Sequence, residues 1–383
     1  MDGRRYKFFA PTHLVFGEGC SGEVGKRARD LGGARALLVT DSGLERTGLP
    51  AKIARHLQDE GLEVVVYSDV AENPTADNVH LGRELIQRHG LDIVVALGGG
   101  SPMDAAKAMS VLSVHEGEIT EYEYGLKPFT RQGPPIVAIP TTAGTGAEAT
   151  MGAVITDPRT HRKIDVVSPF MAPRMALVDP SVTATLPPTL TAATGMDALT
   201  HSVEGYTATL AHPLTDAIHL LAIELLGRHL LRAYRDASDR EARYHVMYAS
   251  MIAGVGFPNS GLGAVHGLAL PLGGQFNIPH GVANAILLPY VMSYNVPACR
   301  QRMKQIAVAL AAPVKSADGA IEQVFALRRE MKLPNLASFG VREEHLDALA
   351  RDALGRNTNC VTNPRRVTEA DAKDIYRAAL AEA

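Results

Sequence analysis

LDIVVALGGGSPMDAAKAMS (residues 91–110) passes from an apolar run, through three glycines, into a segment with helical spacing. IVVAL reads as a buried strand and PMDAAKAMS as the helix that follows it. Ser101 is the expected N-cap, Pro102 suits the first helical position, and Asp104 would complete a capping box. Gly98, Gly99 and Gly100 let backbone approach a ligand closely, and free N–H groups at a helix start attract an anion such as a pyrophosphate. A tight strand-to-helix turn without a ligand would have the same sequence.

The same grammar extends outward on both sides. ARALLVTD (34–41), LEVVVYSDV (62–70), PPIVAIPTT (134–142) and MALVDP (175–180) read as further buried strands. LPAKIARHLQDEG (49–61) and ADNVHLGRELIQRHG (76–90) between the earlier strands have helical spacing, which predicts a mostly parallel sheet covered by helices. After Pro187–Pro188 the pattern becomes helical: residues 215–237, 238–254 and 300–312 carry helical periodicity, and Thr368 with Asp371 forms a capping box before the last helix. The expected fold class is therefore α/β plus all-α, with a Rossmann-like domain over 1–185 and a helical domain over 186–383. A chain of 383 residues is long enough for two hydrophobic cores.

A second Gly-rich loop, PTTAGTGAEAT (140–150), also follows a strand and offers Thr141, Thr142 and Thr145. Two such loops after strands of one sheet would line the same crevice. Asp41, at the end of another strand, can accept hydrogen bonds from an adenosine ribose, which would favour NAD over NADP. It precedes the glycines instead of following them, so this is not an ordinary G-x-G-x-x-G domain, and a solvated loop carboxylate is the competing reading of Asp41.

Composition narrows the function. Hydrophobic residues make up 46% and charged residues 21%, and the net charge of −3 gives no basic footprint for nucleic acid or membrane surfaces. No stretch approaches a membrane span, the N-terminal apolar run is too short for a signal peptide, and three scattered cysteines suit a reducing compartment. A cytoplasmic protein is expected.

Among fourteen histidines, three stand apart. Asp197 and His201 lie in ATGMDALTHSVE (193–204) at helical i, i+4 spacing, on one face. His266 and His280 bracket the Gly-rich VHGLALPLGGQFNIPHG (265–281), which can return two imidazoles to the same point. One carboxylate and three imidazoles suit Fe²⁺ or Zn²⁺ with a position left for substrate.

GGGSPMDAAKA, PTTAGTGAEAT, GMDALTHSVEGY and GLGAVHGLALPLGGQFNIPHG, in this order, resemble the iron-containing (group III) alcohol dehydrogenases, and the likeness runs from FGEG (16–19) to TNPRRVT (362–368). The resemblance implies a dehydroquinate synthase-like fold and an enzyme that moves a hydride between NAD(P)(H) and a small alcohol/aldehyde pair. It places Fe²⁺, or Zn²⁺ as in some relatives, on Asp197, His201, His266 and His280. It assigns the pyrophosphate to Gly98, Gly99, Gly100 and Ser101, with Asp104 in the same motif. Thr141, Thr142 and Thr145 would approach the cofactor, Lys163 would lie near the nicotinamide, Asn73 near the adenosine, and Asp41 would fit NAD. Members are often homodimers.

Two positions depart from the family. Leu270 stands where many relatives carry a second histidine, four residues after the first of the pair, and Ala147 stands where serine is common. The alternatives are a cyclase or lyase resembling dehydroquinate synthase, a maleylacetate reductase-like enzyme, and a non-catalytic binding protein. The first needs Lys and Arg around the metal, and ALTHSVEGY and VHGLALPLGGQFNIPHG contain none. The intact Asp-His-His-His set argues against the other two.

Overall fold

The computed structural model describes residues 5–160, 162–355 and 359–381; the first four residues of the N-terminal run lie outside them. The chain forms two compact units. One comprises Ala10–Thr142 and Gly146–Thr183; the other comprises Met1–Phe9, Ala143–Thr145 and Ala184–Ala383.

The first unit is built on a six-stranded parallel sheet. In chain order its strands are β1 (His13–Phe16), β2 (Arg35–Val39), β3 (Glu63–Tyr67), β4 (Ile93–Gly98), β5 (Ile136–Pro140) and, after a hairpin, β8 (Met175–Val178). Their order across the sheet is β1-β8-β5-β4-β2-β3, with every pairing parallel. The central β4 and β5 are buried along their whole length, so their sequences are continuous apolar runs. Helices α1 (Val24–Asp30) and α3 (Leu49–Asp59) share one core with β2, β4, β5 and β8 through Val24, Ile53, Leu38, Val95, Ile139 and Leu177. Helices α4 (Ala76–His89) and α5 (Gly100–Leu112) share a second with the antiparallel hairpin β6 (Gly152–Asp157) and β7 (Arg162–Val167).

This order has a reversal. From β2 the chain goes outward to β3, then returns to lay β4 on the other side of β2. The loops leaving β2 and β4 therefore flank a topological switch point, where open α/β sheets bind ligands beyond their strand ends. Asp41 follows β2 and Gly98–Ser101 follow β4.

The second unit is helical. It contains α6 (Pro188–Thr207), α7 (Pro213–Arg235), α8 (Arg240–Ser260), α9 (Ala264–Phe276), α10 (His280–Ala309), α11 (Ala317–Glu330), α12 (Leu346–Gly355) and α13 (Glu369–Leu380). Thr368 and Asp371 form the expected capping box at the start of α13. The expected helix over 300–312 is present to Ala309: α10 runs past Pro289 and Pro297 to a kink at Cys299, whose φ of −141° is non-helical, and a second helical stretch follows it. No helix among the described residues is long and apolar enough to cross a membrane.

Candidate active site and metal centre

Helix α6 carries Asp197 and His201 one turn apart. It is buried almost all round, and Thr200, Ser202 and Thr207 satisfy their hydroxyls by donating to carbonyls four residues back, so a polar sequence tolerates burial. His266 lies in the first turn of α9, which ends at Asn277 in the left-handed conformation (φ 53°). Three residues on, His280 opens α10. A Cβ on Gly281 would stand 2.4 Å from the Ala193 carbonyl oxygen, so only glycine lets the start of α10 press against α6.

The ligand atoms of Asp197, His201 and His266 lie within 4.8 Å of one another. His280 stands outside that tight trio, but its Nε2 is 3.7 Å from Asp197 Oδ1, and His266 Nε2 is 3.8 Å from the same oxygen. Asp197, His201 and His266 are at most 5% exposed, whereas the His280 side chain is 38% exposed, so access to the cluster is from the His280 side. The His201 ring stacks against Phe257 and His266, both at 4.5 Å between centroids.

Electrostatics prepare these groups to bind a cation. Burial alone would raise the Asp197 pKa, but His201, His280, His266 and the Asn284 amide outweigh it and hold the carboxyl below its usual range. Burial pushes His201 down to about 3 against the pull of Asp197, which keeps the imidazole neutral, and its Nδ1 has no hydrogen-bond partner. A charged carboxylate and a buried imidazole with an orphaned nitrogen fit a divalent metal ion.

Glu204 is a further member of this cluster, not singled out from the sequence. Its Oε2 lies 2.6 Å from His266 Nδ1, and its Oε1 accepts from the Val265 N–H at 2.6 Å. One buried carboxylate thus caps the N-terminus of α9 and fixes the His266 proton on Nδ1, leaving Nε2 as a lone pair toward Asp197. Burial opposes protonation of His266, but Glu204 and then Asp197 outweigh it and raise its pKa. The sequence held a signal, since 197, 201 and 204 follow i, i+4, i+7 on one helix face. Glu204→Gln is expected to weaken metal binding by roughly 10–100-fold in chelator competition while the fold persists. Unchanged affinity would remove Glu204 from the site.

On the sheet, Gly98 has φ 153°, and a Cβ there would lie 2.5 Å from Pro102 Cγ. Helix α5 begins two residues earlier than the sequence suggested: Gly99 is the N-cap, with no side-chain cap on the first turn. Ser101 is not the cap because its hydroxyl donates to the Glu72 carbonyl. Asp104 closes no capping box; its carboxylate accepts from the Val154 N–H at 2.9 Å and lies 3.6 Å from Lys107 Nζ. Lys107, fully buried, also bonds Thr150 Oγ1 and the Gly152 carbonyl, tying α5 to the second loop and the hairpin. The uncapped N–H groups at Gly100 and Ser101 are suited to phosphate oxygens.

Thr141 continues from β5 and donates its N–H to the Gly98 carbonyl at 2.9 Å, so the two loops are adjacent. Thr142 lies against Gly99, where a Cβ would meet its Cγ2 at 3.2 Å. Thr145 groups with the helical unit. Asp41 caps the short helix α2 (Ser42–Glu45) by accepting from the Leu44 N–H at 2.9 Å. Lys163 is half-buried on β7, where burial lowers its pKa against Glu72 and Asp165, and Asn73 is exposed in the loop before α4. Leu270 is half-buried in α9, one turn after His266.

A doubly wound parallel sheet with an uncapped Gly-rich helix start could hold a dinucleotide, and the buried carboxylate–imidazole cluster of the helical unit could hold a metal ion. Residues 11–180 match the family described as iron-containing alcohol dehydrogenase, and 191–380 match the C-terminal part of the Fe-containing alcohol dehydrogenase family. The chain is 39% identical to a 1,3-propanediol dehydrogenase of Citrobacter freundii, covering 99% of this chain and 100% of that one. It is 41% identical to a lactaldehyde reductase of Escherichia coli (strain K12), covering 95% and 97%. A crystal structure of 1,3-propanediol oxidoreductase superposes with a TM-score of 0.95 at 39% identity, covering 98% and 100%. The chain belongs to the iron-containing alcohol dehydrogenase family.

Proposed function

We propose that this enzyme binds Fe²⁺ through Asp197, His201, His266 and His280 and moves a hydride between NAD(H) and a small, uncharged alcohol or aldehyde. The observation that carries the reading is the convergence of a buried carboxylate and imidazoles from α6, α9 and α10, with the Glu204 carboxylate fixing the His266 tautomer. Bound there, the ion supplies Lewis-acid polarisation of an alcohol or carbonyl oxygen. Zn²⁺ is compatible with the same donors.

The chain's own residues do the rest. Gly98, Gly99, Gly100 and Ser101 offer backbone N–H groups to the pyrophosphate, with Asp104 and Lys107 bracing α5 beneath them. Thr141, Thr142 and Thr145 line the second cofactor loop, Asn73 serves the adenosine and Lys163 the nicotinamide end. Phe257, stacked on His201, supplies apolar surface and excludes water. The names of the relatives, a propanediol dehydrogenase and a lactaldehyde reductase, favour short hydroxylated substrates. Leu270 offers no proton, so the side chain one turn after His266 would supply no relay and a bound cofactor's ribose hydroxyls or water would have to serve in its place. Three free cysteines accord with a cytoplasmic location, and a homodimer is the proposed assembly.

Anaerobic reconstitution with Fe²⁺, followed by a screen of short alcohols, diols and aldehydes with NAD(H) and NADP(H), tests the reading. Turnover confined to small uncharged pairs is expected; none with any of them would sink it. Asp41 sets the coenzyme preference by repelling a ribose 2′-phosphate. Asp41→Ser is expected to raise kcat/KM with NADP(H) relative to NAD(H) about tenfold or more, a change of about 1.4 kcal/mol. An unchanged ratio would free Asp41 from that role.

A further inference from the structure

Asn284 lies on α10 one turn after His280, fully buried. Its Nδ2 is 2.7 Å from Asp197 Oδ1, 3.2 Å from His266 Nε2 and 3.1 Å from His280 Nε2. Its Oδ1 has no hydrogen-bond partner, although leaving a buried acceptor unpaired is unfavourable. The amide thus forgoes one bond to keep its donors on three side chains carried by three helices. The opposite orientation would set a carbonyl oxygen against the Asp197 carboxylate and the His266 lone pair. The Glu204 bond dictates that lone pair, since a proton on Nδ1 leaves Nε2 an acceptor.

From this arrangement we propose that Asn284 is a positioning residue for the metal centre. Its NH₂ group gathers the lone pairs of Asp197, His266 and His280 before any ion arrives. Two N–H bonds shared among three acceptors bind none of them rigidly, so the set stays assembled without being locked. Lone-pair repulsion within the cluster would otherwise splay the side chains, since each imidazole nitrogen is less than 4 Å from Asp197 Oδ1. His201 is outside the clasp and is held by stacking against Phe257 and His266. The inference rests on the metal-site reading above.

The test uses the full-length chain loaded with Co²⁺, whose visible spectrum reports coordination, and follows release of the ion to a chelator. Asn284→Ala is expected to speed release roughly 10–100-fold and to alter the Co²⁺ spectrum. Asn284→Asp, similar in size but without the donors and with an added charge beside Asp197, is expected to lower the thermal midpoint of the metal-free protein and to enlarge the stabilisation gained on loading. A residue that merely supports the fold would lower the midpoints of loaded and metal-free protein alike and leave release from the folded state unchanged. That result, or a wild-type spectrum and release rate in Asn284→Ala, overturns the proposal. Failure of the wild-type chain to take up Co²⁺ stoichiometrically would instead overturn the metal-site reading, and this inference with it.

Discussion

His266→Ala is expected to purify with less than about a tenth of an equivalent of metal after reconstitution, where the wild-type chain retains roughly one. The loss follows from two effects. The substitution removes a donor held within 4.8 Å of those on Asp197 and His201, and it deprives Glu204 of the ring it orients. Lewis-acid stabilisation of the transition state is worth several kcal/mol, so NAD-linked turnover should fall by about 10³-fold or more. His266→Ala also strands a buried carboxylate, so a folding defect must be separated from a ligand defect. Asp197→Asn, nearly isosteric, supplies that control and should lose the ion while keeping its helical circular dichroism. Stoichiometric metal in both variants would contradict the assignment.

Gly98→Val is expected to abolish productive cofactor binding and leave the metal content intact. The new side chain would meet Pro102 Cγ at about the 2.5 Å found for a Cβ, on a backbone with φ 153° that β-branched residues avoid. Relief requires α5 to shift, which moves the N–H groups at Gly100 and Ser101 away from the phosphates. Loss of two charge-assisted bonds of about 1.5–3 kcal/mol each predicts a rise in Kd for NADH of at least about 100-fold. The chain has no tryptophan, so NADH fluorescence is read without protein indole background. The metal should stay because its donors and this loop belong to different units. A wild-type Kd would show that the cofactor does not use this loop.

How much of this was legible in the sequence depended on how local each signal was. Strands β2, β4, β5 and β8 announced themselves as continuous apolar runs because parallel strands are buried on both faces, and β3, at the sheet edge, is apolar from Val64 to Tyr67 although half of it is open. The hairpin β6–β7 was overlooked because its apolar residues come in short groups broken by Thr156, Asp157, Arg162, Lys163 and Asp165, unlike the continuous runs of the parallel strands. Asp197 with His201 could be paired because both lie on one helix turn, and His266 with His280 because glycines surround them. Helix α5 was placed correctly but capped wrongly. Ser101 and Asp104 have the right types for a cap, yet their partners, the Glu72 carbonyl and the Val154 N–H, come from distant segments and outcompete the helix start. Glu204 and Asn284 were missed for the same reason: each sits at helical spacing from a recognised residue, but its hydrogen bonds cross between helices. The family resemblance ordered the site; it did not reveal the side chains that hold the site in shape.

The pairing of this family's chemistry with this particular cluster is decided by locating the ion. Crystals of the wild-type chain loaded anaerobically with Fe²⁺, measured on both sides of the iron absorption edge, should give one anomalous peak per chain, bounded by Asp197, His201, His266 and His280. A peak elsewhere, or no peak in protein that turns over an alcohol with NAD, would contradict it.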